Sequence, residues 1–225
     1  MNYWKEHFEK NAQNYPNLLK KQVDMTINKV EVDDLQVQLR VRSIIDKLKL
    51  NSSNVLLDLC CGNGLLTSFI SEKVKFVYAV DFSSSLLKVA RRINHKNNIK
   101  YIEGDVSKLD FKKFDVDKVA IYSCFQYLSM EQVSYIFLGL STFSPILVYI
   151  GNIPDKSKFL DYYDTKEKLE FYHKSIEEGK PHIGNWYFKD DLASLAKKYK
   201  FGYKFLDINS QLNTSNYRFD LVLEK

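Results

Sequence analysis

VLLDLCCGNGLL, residues 55–66, is the stretch whose reading decides the fold. An apolar run ends in an acid at Asp58, passes through a turn of small residues and enters a helical pattern. A parallel α/β sheet builds a nucleotide-type pocket in this way, at the carboxyl end of its first strand. Gly62 and Gly64 let the backbone approach a ligand where a Cβ would collide. A dinucleotide fingerprint reads G-x-G-x-x-G. Counted from Gly62, Thr67 stands where its last glycine belongs, which disfavours a nicotinamide reductase. What remains is an acid-x-small-x-Gly-x-Gly spacing across Asp58, Cys60, Gly62 and Gly64, followed about one strand later by an isolated acid, Asp81.

Outward from this stretch the pattern alternates. Short apolar runs at 55–59, 76–80, 99–102, 118–123 and 146–150 read as strands covered on both faces. Helical spacing falls at 65–72, 131–140 and 189–199, and after Ser83 or Ser84, either of which can cap the helix bearing Leu86, Leu87, Val89, Ala90 and Ile93. Residues 1–50 are helical, with Leu35, Leu39, Ile44, Ile45 and Leu48 on their last helix. Between Gly151 and Gly184 the alternation breaks into a polar, aromatic-rich segment with helical patches. Two consecutive closing strands, 201–208 and 217–224, suggest an antiparallel hairpin at one edge of a mostly parallel sheet.

Three carboxylates, Asp58, Asp81 and Asp105, fall at the ends of three successive strands. Such ends converge on one edge of a parallel sheet, so these side chains line one crevice. A lone Asp after a strand is also a common helix cap or turn former. Asp81 can cap the following helix, and Gly104-Asp105 can be only a turn. The combination with the glycine pair is what points to a pocket.

The run Asp58, Cys60, Gly62, Gly64 resembles motif I of the class I S-adenosylmethionine-dependent methyltransferases, with Cys60 replacing the first glycine. DKVAIYSCFQYLS (117–129) is similar to that family's fourth-strand motif, GNIPD (151–155) to a turn after strand five, and NYRFDLVLEK to the closing strand. FEKNAQNYPNLL (8–19) resembles the helical lid that closes over the cofactor. The resemblance implies a Rossmann-like class I methyltransferase fold over residues 1–225, α/β, with a seven-stranded mostly parallel sheet and an antiparallel C-terminal edge hairpin. It implies a helical cap at 1–50 and an acceptor-side insertion at 151–186. S-adenosyl-L-methionine is the implied cofactor and S-adenosyl-L-homocysteine the product. On that reading Asp81 accepts from the ribose hydroxyls and Phe82 covers the adenine. Asp105 and the Val106 N–H address its edge, while Asp58 helps hold the ammonium. Ser123, Cys124, Gln126 and Tyr127 lie at the methionine portion. Tyr15 reaches the carboxylate, as Gln36 and Arg40 can, unless these two are solvent-exposed.

The bulk composition narrows the rest. Of 225 residues 45% are hydrophobic and 14% aromatic, ample for a packed core, and the net charge of +5 is spread along the chain. A nucleic-acid partner is therefore not expected. No apolar run approaches the ~20 residues that span a bilayer, and the charged amino terminus lacks a signal-peptide core, so a cytoplasmic location is expected. Three cysteines make no even disulfide framework, and no metal site is expected. Methyl transfer to a hydroxyl benefits from a general base, for which His182 and His173 beside the insertion are the candidates; surface or structural roles compete. The insertion's rings suit a sugar face, an aromatic acceptor or plain packing. The favoured function is metal-independent methyl transfer to a small molecule, at an oxygen on a sugar or sugar-linked group such as a phosphoramidate in bacterial surface-polysaccharide synthesis. RNA or amine N-methylation and a non-catalytic cofactor-binding module are the alternatives.

Overall fold

The structure is a computed structural model that describes residues 3–225. It opens with α1 (Tyr3–Asn14) and the single turn α2 (Leu19–Gln22). A small hairpin of β1 (Thr26–Ile27) and β2 (Val30–Glu31) leads into α3 (Asp34–Leu48). The hairpin interrupts a region expected to be helical. Its two-residue turn, Asn28-Lys29, has φ of 50° and 66°, as a tight turn matching strand twist requires, but it lacks the glycine that usually signals one.

Five parallel strands follow: β3 (Val55–Leu59), β4 (Phe76–Asp81), β5 (Ile99–Glu103), β6 (Lys118–Tyr122) and β7 (Leu147–Pro154). Between them lie α4 (Leu65–Ile70), α5 (Ser84–Ile93) and α6 (Met130–Leu140). The insertion carries α7 (Phe159–Tyr162) and α8 (Lys166–Glu177). After α9 (Lys189–Lys198), the hairpin of β8 (Gly202–Asp207) and β9 (Arg218–Glu224) closes the sheet. The spatial order is β5-β4-β3-β6-β7-β9-β8, with β9 antiparallel to both neighbours. The expected seven-stranded, mostly parallel sheet with its antiparallel edge is what forms.

Side chains alternate between the faces of a strand, and the core splits accordingly. Leu57 and Leu59 join Val119, Ile121, Val148 and Ile150 beneath α6 and α9. Leu56 joins Val77, Ala79 and Ala120 beneath α3 and α5. With both faces sealed, polar groups of these strands gather at their ends. Asp117 ties the lower end, accepting from the Val55 N–H at 2.7 Å and from the Asn54 amide.

Three local expectations change. GNIP belongs to β7 and pairs with β9, through a register shift between Ile150 and Ile153. Asn152, at φ 66°, makes that irregularity; its N–H donates to Asp220 at 2.8 Å and its side-chain oxygen accepts from Thr214. Leu35 and Ile93, counted on apolar helix faces, are exposed. Gln36 and Arg40 are buried instead, because the C-terminal segment covers that side of α3: Gln36 donates to the Gln211 carbonyl and Arg40 to Asn213 Oδ1.

Packing against α6 tests this layer. A Cβ on Gly139 would lie 2.1 Å from the buried Phe111 ring, so overpacking outweighs the helix propensity gained. Gly139→Ala should destabilise by about 1–2 kcal/mol and lower the melting temperature by roughly 2–8 °C. A melting curve that stays level or rises would refute the packing described.

Candidate functional site

At the carboxyl ends of β3 and β4 the turn after β3 is held by a buried acid. Asp81 is 4% exposed; its Oδ2 accepts the Gly62 N–H at 2.8 Å and its Oδ1 accepts the Ser83 N–H at 2.9 Å. Ser83 in turn caps α5 by accepting from Leu86 N. The motif positions Cys60, Gly62 and Gly64 have φ of 64°, 57° and 74°, the left-handed region that costs most side chains about 1–2 kcal/mol. Gly64 also has no room: a Cβ there would meet the Tyr101 hydroxyl at 2.4 Å. Thr67, at the position that disfavoured a dinucleotide, is fully buried and donates to Asp58 Oδ2 at 2.6 Å.

Burial pushes the Asp58 carboxyl up to about 7, with the Asp81 charge adding and the Thr67 bond opposing. Asp81 is pushed up to about 6, again by burial first, with its backbone N–H bonds opposing. Each oxygen of Asp81 is used by one N–H, and a carboxylate oxygen can accept two bonds. That leaves capacity for two further O–H donors.

Above these groups opens a cleft enclosing about 1060 Å³, open mouth included, lined by Asp58, Cys60, Gly62, Asp81, Phe82, Asp105, Val106 and Ser123. Eight of the eleven residues expected to bind a cofactor thus share one wall. Gly64 instead starts α4. Gln126 stands one layer behind, donating to the Ser123 carbonyl at 2.8 Å. Tyr15 is not on the lining. Its ring packs beneath Lys21 and its carbonyl accepts from Gln22. Asp105 lines the cleft and also makes a turn, its Oδ1 accepting the Ser107 N–H and hydroxyl at 2.9 and 2.7 Å.

The roof comes from residues not singled out in the sequence. Trp4, Phe8 and Ala12 form a stripe on α1 at helical spacing, packed with Leu86, Phe82 and Tyr127. Trp4 and Phe8 line the cleft, with Val23 and Met25 beside them. The i, i+4, i+8 repeat was the available signal.

The cysteine expectation is overturned. A disulfide joins Cys60 to Cys124, with Cα atoms 6.1 Å apart, on the cleft wall. The 64-residue separation hides the fact that β3 and β6 are parallel neighbours whose ends bring the two together.

The candidate bases lie away from this wall. His173 is exposed on α8. His182 sits in the insertion, with its Nδ1 3.3 Å from the Tyr163 hydroxyl and its ring 5.2 Å from Phe171. These neighbours shield part of the imidazole, and the lost hydration lowers its pKa. Around it the insertion and β9 assemble rings: Tyr162 stands 4.4 Å from Tyr217, and Trp186 5.7 Å from Tyr162 and 5.9 Å from Tyr217.

Comparison with known proteins bears on this geometry. Residues 56–140 match the family model described as "Methyltransferase domain". The chain is 28% identical over 126 residues to "Probable ribosomal RNA small subunit methyltransferase A" of Thermococcus onnurineus, covering 56% of this chain and 43% of that protein. It is 37% identical over 76 residues to "Probable cobalt-precorrin-6B C(15)-methyltransferase (decarboxylating)" of Methanocaldococcus jannaschii, covering 31% and 42%. It therefore spans less than half the length of these relatives. The magnesium protoporphyrin IX methyltransferase of Synechocystis, solved with bound S-adenosylhomocysteine, superposes with a TM-score of 0.66 at 14% identity, over 98% of both chains. The phosphoethanolamine N-methyltransferase 1 of Haemonchus contortus superposes at 0.68 and 16% identity, over 98% of this chain and 48% of that one. At such identities the superpositions speak for the fold.

The buried acids give a testable signature. The folded chain holds both protons more tightly than a carboxyl at 3.8 in the unfolded chain. Their stabilising share is full below about pH 4 and is lost as pH rises through 6 to 7. Asp58→Asn should therefore raise the melting temperature of the ligand-free chain at pH 8, by about 1 kcal/mol or more in stability, with no gain at pH 4. Equal effects at both pH values would contradict the burial described. Residues 56–140 thus match a methyltransferase domain, the fold is the Rossmann-like one of the superposed methyltransferases, and S-adenosylmethionine is the cofactor these likenesses support.

Proposed function

We propose that this chain transfers a methyl group from S-adenosylmethionine to a small-molecule acceptor, leaving S-adenosylhomocysteine. The observation that carries the reading is Asp81, fixed by two N–H bonds at a cleft rim with acceptor capacity for two hydroxyls and the Phe82 ring beside it. When bound, the cofactor supplies an electrophilic methyl on a positively charged sulfur. Asp81 holds the ribose hydroxyls, Phe82 covers the adenine face, and Asp105 with the Val106 N–H reads its edge. Asp58 faces the ammonium, and Ser123, with Gln126 behind it, stands at the methionine end. Trp4 and Phe8 exclude water, which strengthens alignment of the reacting groups. The whole chain, residues 1–225, acts as one unit in which 1–50 cap the cleft and 151–186 receive the acceptor.

The acceptor atom we favour is an oxygen, on a sugar or sugar-linked group such as a phosphoramidate of a surface polysaccharide, with no metal required. The ring-rich insertion supports this, since aromatic faces suit sugar rings. His182 is the better placed of the two candidate bases, because its lowered pKa keeps the imidazole neutral near pH 7; His173 is its alternate. A second reading, RNA methylation, draws on the sequence likeness to the Thermococcus protein. The residues lining the cofactor cleft include no lysine or arginine, so an RNA acceptor would have to be held by basic residues outside it.

Calorimetry should detect S-adenosylhomocysteine and not NAD. Asp81→Ala should weaken that binding about 10- to 100-fold, the loss of one or two hydrogen bonds to a charged group. Binding should also be about tenfold weaker at pH 5 than at pH 8, because a carboxyl titrating near 6 is mostly protonated at pH 5. Unchanged affinity in Asp81→Ala would sink the ribose assignment. Labelled methyl donor offered with pools of sugar phosphates, amines and RNA then identifies the acceptor.

A further inference from the structure

Two buried side-chain donors among the described residues have no hydrogen-bond partner, Trp186 Nε1 and Arg218 Nε. They flank the same ring. The Trp186 ring lies 5.9 Å from Tyr217, and the Arg218 guanidinium 5.2 Å from it. An orphaned buried donor costs about 1–3 kcal/mol, and such groups in a native structure call for an explanation.

The charge is equally unmatched. Arg218 Nη1 donates to the Asn152 carbonyl at 2.7 Å and to Gln126 Oε1 at 3.3 Å, both neutral. Arg40, 4% exposed, spends its bonds on the Gln36 carbonyl, Gln36 Oε1 and Asn213 Oδ1, again all neutral. Neither arginine has a carboxylate within ion-pair distance among the described residues. The nearby buried acid, Asp220, is engaged by the Tyr149 hydroxyl and the Asn152 N–H. Burial lowers the Arg40 pKa most and the nearby Arg218 charge lowers it further, while Tyr122, Tyr217 and Asp33 oppose. The pair adjoins the cleft, because Gln126 also donates to Ser123, a lining residue, and its carbonyl accepts the Asn185 N–H beside Trp186.

We propose that Trp186 Nε1 and Arg218 Nε, backed by the Arg40 charge, seat an anionic oxygen group of the acceptor, a carboxylate or phosphate-type group, against the rings of Tyr162 and Tyr217. This rests on the methyltransferase reading and narrows it: the acceptor is an anion. An oxyanion supplies acceptors for both orphaned N–H groups and the missing negative charge, and a guanidinium holds such groups well. The same chemistry could come from the cofactor's own carboxylate, and the experiment separates the two sources.

The chain saturated with S-adenosylhomocysteine is titrated with inorganic phosphate and with acetate while the Trp186 indole N–H resonance is followed, assigned by its loss in Trp186→Phe. A saturable shift that weakens about tenfold or more in Arg218→Gln, recovers in Arg218→Lys and leaves S-adenosylhomocysteine affinity unchanged supports the seat. An indole that neither anion moves, or that moves equally in Arg218→Gln, overturns it. If S-adenosylhomocysteine moves the indole, 5′-methylthioadenosine (which lacks the carboxylate) does not, and Arg218→Gln weakens only the former, the seat belongs to the cofactor and the acceptor assignment fails. Should Arg218→Gln not fold, calorimetry with phosphate on Trp186→Phe decides instead: about tenfold weaker binding supports the seat, equal binding overturns it. Loss of S-adenosylhomocysteine binding by the unmodified chain would instead strike the methyltransferase reading itself.

Discussion

The carboxylate of Asp81 accepts the Gly62 N–H on one oxygen and the Ser83 N–H on the other, and through those two bonds it joins the turn after β3 to the start of α5. The turn passes through three left-handed residues in five positions, a path with no repetitive hydrogen bonding of its own, so it needs an external anchor. Asp81 provides it from the neighbouring strand, and Thr67 holds Asp58 on the other side of the turn. The cost is two buried acids whose charged forms are disfavoured by lost hydration. That cost falls where a hydroxyl-rich, partly cationic guest can offset it.

Around this anchor the sheet does the sorting. Because both faces are covered by helices, apolar side chains fill the strands and the polar ones collect at the rim. The split at β3, with β4 on one side and β6 on the other, leaves a crevice there for the reason general to open α/β sheets: the crossovers leave in opposite directions. Helix α1 then closes the crevice with Trp4 and Phe8, held by Leu86 and Tyr127. The floor is rigid sheet, and the roof is helix α1, attached through aromatic contacts and through Glu9, which accepts the Ser85 N–H of α5 at 3.2 Å.

Much of this was legible. The strand β3 is bounded by its own apolar run, and the acids at 58, 81 and 105 follow apolar runs at the strand ends, where charge is most easily accommodated. The closing hairpin was readable from two apolar runs in succession. What was hidden depends on tertiary contact. Arg40 and Gln36 look like surface residues on a helix until the segment around Gln211 and Asn213 covers them. Cys60 and Cys124 look unpaired until β3 and β6 are neighbours. GNIP reads as a turn because Gly, Asn and Pro usually make one, yet pairing with β9 draws it into the sheet with Asn152 absorbing the irregularity. Tyr15 follows the end of α1 and misses the cleft, while Trp4 and Phe8, earlier on that helix, reach it.

The segment after β7 leaves and returns at a single gate. The Tyr187 N–H donates to the Pro154 carbonyl at 3.0 Å and the Lys156 N–H to the Tyr187 carbonyl at 2.9 Å, while the Tyr187 hydroxyl bonds the Phe125 carbonyl at 2.7 Å and also reaches the Leu128 carbonyl. The base of the loop is thus latched to the scaffold independently of what lies between. Substitutions can accumulate from 158 to 183 without loosening the turn at Gly62 or the anchor at Asp81, whereas Gly184 and Asn185 are held against Gln126 and Leu128. The loop can thus change in sequence and shape while the sheet edge that carries the cleft keeps its own anchor, so the two parts of the fold are structurally separable.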